Sequence, residues 1–313
     1  MIKPPLFAAL EGAQNVLLAG AGGGFDVYAG LPLFFALRET GVQVHLANYS
    51  FTDLSAVDLD DWVEPGLAKV GPATRGPAEY FPERTLAHWL AANNLPSAVY
   101  AFPRVGVEPL RDAYRSLIAR LGIDAVVLVD GGTDILLRGD ESGLGTPEED
   151  MASLAATAAL DVPIKLVTCL GFGIDAFHGV NHVQVLENLA ALDRAGGYLG
   201  ALSVQGREAE LYRDAVADAQ AATPLRPSIV HGQIAAATSG AFGNVQFTTR
   251  TAASELFVNP LMAIYFTVRL DALASRNLYL NRLYGTHDLA EVSSRIEAFR
   301  AEVTPRSPRS YPH

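Results

Sequence analysis

The chain has 313 residues, 50% hydrophobic and 18% charged, with ordinary numbers of glycine (28) and proline (18); this excludes disordered, collagen-like and low-complexity classes and is enough for one large core. A net charge of −11 argues against a nucleic-acid partner, because neutralising phosphates needs clustered Lys and Arg. The single cysteine, Cys169, excludes an internal disulfide and a zinc site of several thiolates, and fits a reducing, cytoplasmic compartment.

In chain order, residues 14–19 read as a first strand, 31–40 as a helix and 42–49 as a second strand. Helices at 83–93 and 108–121 flank a strand at 98–102. A strand at 125–130, a helix at 147–160, a strand at 164–168 and a helix at 182–192 continue the alternation. Apolar strands separated by amphipathic helices predict a doubly wound, mostly parallel, Rossmann-like α/β sheet with helices on both faces. Residues 198–204 and 228–231 read as further strands around a helix at 208–221. The stretch 241–281 is ambiguous: 244–249 has strand character and 260–273 fits either state. Asp288 is placed to cap a terminal helix over 288–303, and the proline-rich 304–313 reads as a tail or an oligomer arm behind a single domain, 1–303. No apolar run reaches the roughly 18 residues of a membrane span, and Glu11, Gln14 and Asn15 interrupt any signal-peptide core. The expected partner is a small-molecule ligand, with no nucleic acid and no membrane; a homo-oligomer is the expected assembly.

Three strands end alike. The first runs into Gly20-Ala-Gly-Gly-Gly-Phe-Asp26, the strand at 125–130 into Asp130-Gly-Gly-Thr-Asp134, and the strand at 164–168 into Cys169-Leu-Gly-Phe-Gly-Ile-Asp175. Each closes on a Gly-x-Asp triplet. In open α/β sheets ligands bind outside the carboxyl ends of the strands, where these loops would meet. Glycine backbone N–H groups at a helix start can hold an anion, and a carboxylate there can bind a sugar hydroxyl, exchange a proton or help hold a divalent cation. Gly20, Gly22, Gly23, Gly24 and Asp26, with Gly131, Gly132 and Thr133, are therefore the expected cofactor cradle. The plainer reading of Asp26 or Asp175 is a helix cap. Neither the full G-x-G-x-x-G fingerprint nor the P-loop is met.

The loop after the strand at 125–130 is the most polar. Asp130 and Asp134 are the expected acid/base pair, and Arg138, Asp140, Asp175 and His231 the expected substrate contacts. Thr146-Pro147-Glu148-Glu149 has the form of a helix start. Cys169 with His178 offers a thiol nucleophile, and His178 with His182 a metal pair on one helix face; a buried core cysteine is the alternative. The cofactor is left open between NAD and a divalent cation.

The segments GAGGGFDVYAGLPL (20–33) and VDGGTDILLRGDESGLGTPEEDM (129–151) resemble the domain of unknown function 1152 family, over most of the chain. A weaker, local resemblance links Gly20-Ala-Gly22, Ala29-Gly-Leu-Pro32 and Arg38 to sirtuin-like NAD-binding domains, which would imply a nucleotide-binding sheet. The interval between GAG and GLP is longer here, and the four-cysteine zinc module is absent. The expected activity is hydrolysis or group transfer, assisted by carboxylates, on a nucleoside, nucleotide or phosphorylated ligand. The alternatives are a non-catalytic nucleotide sensor or assembly subunit, and an NAD-dependent enzyme.

Overall fold

The computed structural model describes residues 3–246 and 255–311. The strands are β1 (Asn15–Gly20), β2 (Gln43–Tyr49), β3 (Trp62–Glu64), β4 (Leu67–Val70), β5 (Val99–Phe102), β6 (Ala125–Asp130), β7 (Ile164–Cys169), β8 (Tyr198–Ser203), β9 (Gly243–Asn244), β10 (Phe257–Val258) and β11 (Ile264–Arg269). Nine of them form one sheet in the order β3-β4-β5-β2-β1-β6-β7-β11-β8, and β9 pairs with β10. The five central strands, β5 to β7, are parallel; β4, β3 and β11 run antiparallel to their inner neighbours. From β1 the chain winds outward to β2 and β5, then returns to lay β6 against the other side of β1. The gap between the carboxyl ends of β1 and β6 is thus the switch point, where open α/β sheets bind ligands.

Side-chain alternation divides the core into two layers. Leu17, Val126 and Leu128 face one side, under the helices Val107–Leu121, Pro147–Ala158 and Leu289–Glu302. Val16, Leu18, Val127 and Val129 face the other, under Leu31–Glu39, Pro82–Ala92 and Gly206–Ala222. With both faces covered, the central strands are mostly apolar, so the doubly wound pattern is visible in the sequence.

Several elements differ from expectation. Residues 228–231 are not a strand: they open the helix Ile229–Thr238, whose cap is the Ser228 hydroxyl accepting from the His231 N–H at 3.1 Å. The stretch 260–273 contains a 3₁₀ turn (Pro260–Ala263), then β11, then a helix from Leu270. Of the expected strand 244–249, only Asn244 lies within a described strand, and 247–249 fall outside the described residues. Asp288 caps the terminal helix as expected, accepting from the Glu291 N–H at 2.8 Å. The tail docks on its own chain: Arg306 reaches Asp140 at 2.9 Å and Glu187 at 2.7 Å. Arg306→Ala should free residues 304–311, read as faster cleavage there in limited proteolysis.

The C-terminal segment also closes the amino end of the helix Val107–Leu121. The Gly106 N–H donates to the His287 carbonyl at 2.9 Å, and the Val107 N–H to the Thr286 hydroxyl at 3.0 Å. A Cβ at Gly106 would lie 2.5 Å from the Thr286 backbone, which has no freedom to retreat. Gly106→Ala should therefore lower stability by about 1–3 kcal/mol, read in a thermal melt.

Candidate active site at the sheet switch point

Each Gly-x-Asp triplet forms a short 3₁₀ turn rather than an α-helix: Asp26–Gly30, Asp134–Leu136 and Ile174–His178. None of the three carboxylates caps its own turn. They take up hydrogen bonds around the loops instead. Asp26 Oδ2 accepts from the Gly22 N–H at 2.7 Å, and Asp175 Oδ2 from the Thr133 N–H at 2.7 Å. Asp134 Oδ2 accepts from the Thr146 N–H at 2.9 Å and its hydroxyl at 3.2 Å. Within the expected cofactor cradle, the amides of Gly22 and Thr133 are engaged by the carboxylates of Asp26 and Asp175. Thr146 likewise makes no side-chain cap; its hydroxyl is held by Asp134.

Glycines make this convergence possible. Gly23 and Gly24 adopt φ of +89° and +61°, left-handed values that turn the chain sharply back towards Asp26. The turn rests on a buried polar bracket: Asn48 Nδ2 donates to the Gly24 carbonyl at 2.8 Å and to Glu83 at 2.7 Å. A Cβ at Gly131 would lie 3.1 Å from Asp26 Oδ1, and one at Gly132 2.7 Å from Asp175 Oδ1. The bare Gly131-Gly132 backbone therefore sits between Asp26 and Asp175.

Five carboxylates gather here, from Asp26, Asp130, Asp134, Asp150 and Asp175. Asp130 ends β6, and Asp150 lies in the first turn of the helix Pro147–Ala158. Oxygens of Asp26, Asp130 and Asp150 all lie within 4.8 Å of one another. Asp130 Oδ2 and Asp150 Oδ1 have no hydrogen-bond partner. Asp26 is half-buried and the other four are buried, Asp175 being the most exposed of those four at 8%. No salt bridge reaches any of the five among the described residues: Arg104 pairs with Glu149 at 3.0 Å and Arg138 with Asp140 at 3.3 Å.

Loss of hydration penalises the charged form, so burial raises every carboxyl in the group. For Asp26 it outweighs the Gly22 amide and, with repulsion from Asp134, pushes the pKa up to about 8. Burial lifts Asp130 well above the carboxylate range, reinforced by Asp26, Asp134 and Asp175. Asp150 and Asp175 rise in the same way, first through burial and then through their neighbours. Asp134 is raised by burial against the opposing pull of Thr146.

Of the other expected site residues, Cys169 pairs in register with Asp130, and His231 Cε1 lies 3.4 Å from where a Cβ on Gly131 would fall, so both border the cluster. Arg138 and Asp140 pair with each other, and Asp140 also anchors the tail. His178 is exposed at the end of its 3₁₀ turn, whereas His182 begins the next helix, so the two do not share a helix face. Cys169 is fully buried, and burial followed by repulsion from Asp130 holds its thiol well above its ordinary pKa. This thiol is a core group rather than a nucleophile. His231 is buried on a helix behind the Gly131 loop, its Nδ1 2.8 Å from the Tyr212 hydroxyl, and burial lowers its pKa to about 3. Arg38 ends the helix after β1, with its guanidinium over the Phe34 ring, away from the strand ends that hold the cluster.

A groove lies beyond β2 and β5, and none of the five carboxylates lines it. Its cavity of about 460 Å³ is lined by Phe51, Thr52, Leu54, Trp62, Pro103 and Arg104, among others. The Phe51 ring lies where a Cβ on Gly23 would fall, and the Arg104 guanidinium sits 5.0 Å over that ring. Arg104 and Glu149 link the groove to the cluster.

Fold and site define an α/β protein with a doubly wound sheet and an acidic, glycine-framed cluster at its switch point. The chain belongs to the DUF1152 family, described as a protein of unknown function, which matches residues 17–302. No curated protein matches the chain.

Proposed function

We propose that the chain is an enzyme that hydrolyses, or transfers a group from, a nucleoside or nucleotide-like small molecule bound across the switch point. The observation that carries this reading is the meeting of the Asp26, Asp130 and Asp150 carboxylates, with Asp134 and Asp175 repelling them, beside Gly22, while the next residue, Gly23, abuts the Phe51 wall of the groove. Carboxylates accept hydrogen bonds from sugar hydroxyls, an aromatic side chain packs against a planar base, and arginine pairs with a phosphate. Asp175 is the preferred proton carrier. Its Oδ2 is fixed by the Thr133 amide, it reaches solvent more than its three buried partners, and burial keeps its proton available near neutral pH. Asp134, held by Thr146, is a positioning residue for the loop that leads into the helix Pro147–Ala158.

A thermal-shift panel of nucleosides, nucleotides and sugar phosphates tests the binding half of the proposal. At about 100 times its Kd, a ligand adds roughly 2.7 kcal/mol to stability. Some member should raise the Tm of the wild type, and Phe51→Ala should weaken that shift for compounds carrying a base. If no member moves the Tm, the reading is wrong.

A further inference from the structure

We propose that Asp26, Asp130 and Asp150 hold a hard divalent cation at the carboxyl ends of β1 and β6. The oxygens all lie within 4.8 Å of one another. Two oxygens on opposite sides of an ion at about 2.4 Å stand about 4.8 Å apart, so the three can share one ion. Asp130 Oδ2 and Asp150 Oδ1 lack partners in residues only 4% and 1% exposed. A buried polar atom without a partner is costly, and a cation would satisfy both oxygens at once. Gly22 keeps the space open: a Cβ there would lie 2.6 Å from Asp26 Oδ2 and 2.7 Å from Asp150 Oδ1.

The donor set selects the ion. Three carboxylates favour Mg²⁺, Mn²⁺ or Ca²⁺ over a thiolate-loving metal. Asp134 and Asp175 stand outside the trio. A cation here would also let an anionic group approach an otherwise acidic cluster. This inference deepens the reading of the switch point as an active site, and it can fail separately because binding is read without turnover.

The test is a titration of chelator-treated full-length protein with Mn²⁺, followed by electron paramagnetic resonance, with competition by Mg²⁺ and Ca²⁺. One Mn²⁺ should bind per chain and be displaced by Mg²⁺ or Ca²⁺. Asp130→Asn and Asp150→Asn, which keep side-chain shape, should each weaken binding by more than roughly tenfold. Gly22→Ala should abolish it. Absence of bound Mn²⁺, or equal affinity in wild type, Asp130→Asn and Asp150→Asn, would overturn the proposal. A circular-dichroism melt of each variant confirms that it is folded.

Discussion

Asp175→Asn should lower turnover by about 10² to 10⁴-fold while the protein remains folded. Asparagine keeps the size of the side chain and can still accept the Thr133 N–H, so the loop geometry survives. What it loses is the exchangeable proton, which the neighbouring carboxylates cannot replace in the same position. The comparison with Asp134 is informative. Asp134→Ala removes the acceptor for the Thr146 amide and hydroxyl, so it should lower the Tm as well as activity, and the two variants separate proton transfer from positioning. Steady-state rates with melting curves on the same samples check both. Asp175→Asn at wild-type rate would remove Asp175 from the chemistry.

Raising the pH from 6.5 to 8.5 in chelator-containing buffer should destabilise the chain. A carboxyl whose pKa is about 4 unfolded and about 8 folded gives stability that is fully present below pH 4 and is lost as pH rises through 8. The other raised carboxyls act in the same direction. His231 acts in the opposite direction, because its lowered folded pKa gives stability lost as pH falls below 6.5, and above that value its contribution is constant. Across the upper interval the raised carboxyls therefore dominate the change, with the raised Cys169 thiol adding in the same direction near its top. For Asp26 alone, discounted for its partial exposure, the loss is about 1 kcal/mol. The Tm of the wild type should fall over this interval and that of Asp26→Asn should fall less. Equal slopes would mean that Asp26 is not strained by its ionisation.

The sheet was legible in the sequence because its central strands are covered on both faces and so lack polar alternation, as 125–130 illustrates. The strand-end loops were legible for a local reason: Gly-x-Asp recurs within a few residues of three such strands. What the loops do depends on which strands become neighbours. Asp175 bonds to Thr133, 42 residues away, only because β6 and β7 pair in register. Asp150 was missed as a site residue because its segment has the form of an ordinary helix start; the turn of that helix towards Gly22 is a tertiary fact. The short strands β3 and β4 escaped notice because three and four residues carry too little periodicity. Ser228 was misread for a related reason. The apolar pair Ile229-Val230 has strand character, and one hydroxyl cap at Ser228 decides for helix.

The most direct test of the account follows, by mass spectrometry, the amount of the panel compound that most stabilises the wild type when it is present in large excess over the protein. An enzyme of the proposed class converts it to product through many turnovers per chain, and Asp175→Asn does not. A compound that binds and stabilises the protein yet is recovered intact would contradict catalysis at the switch point and leave a binding protein in its place.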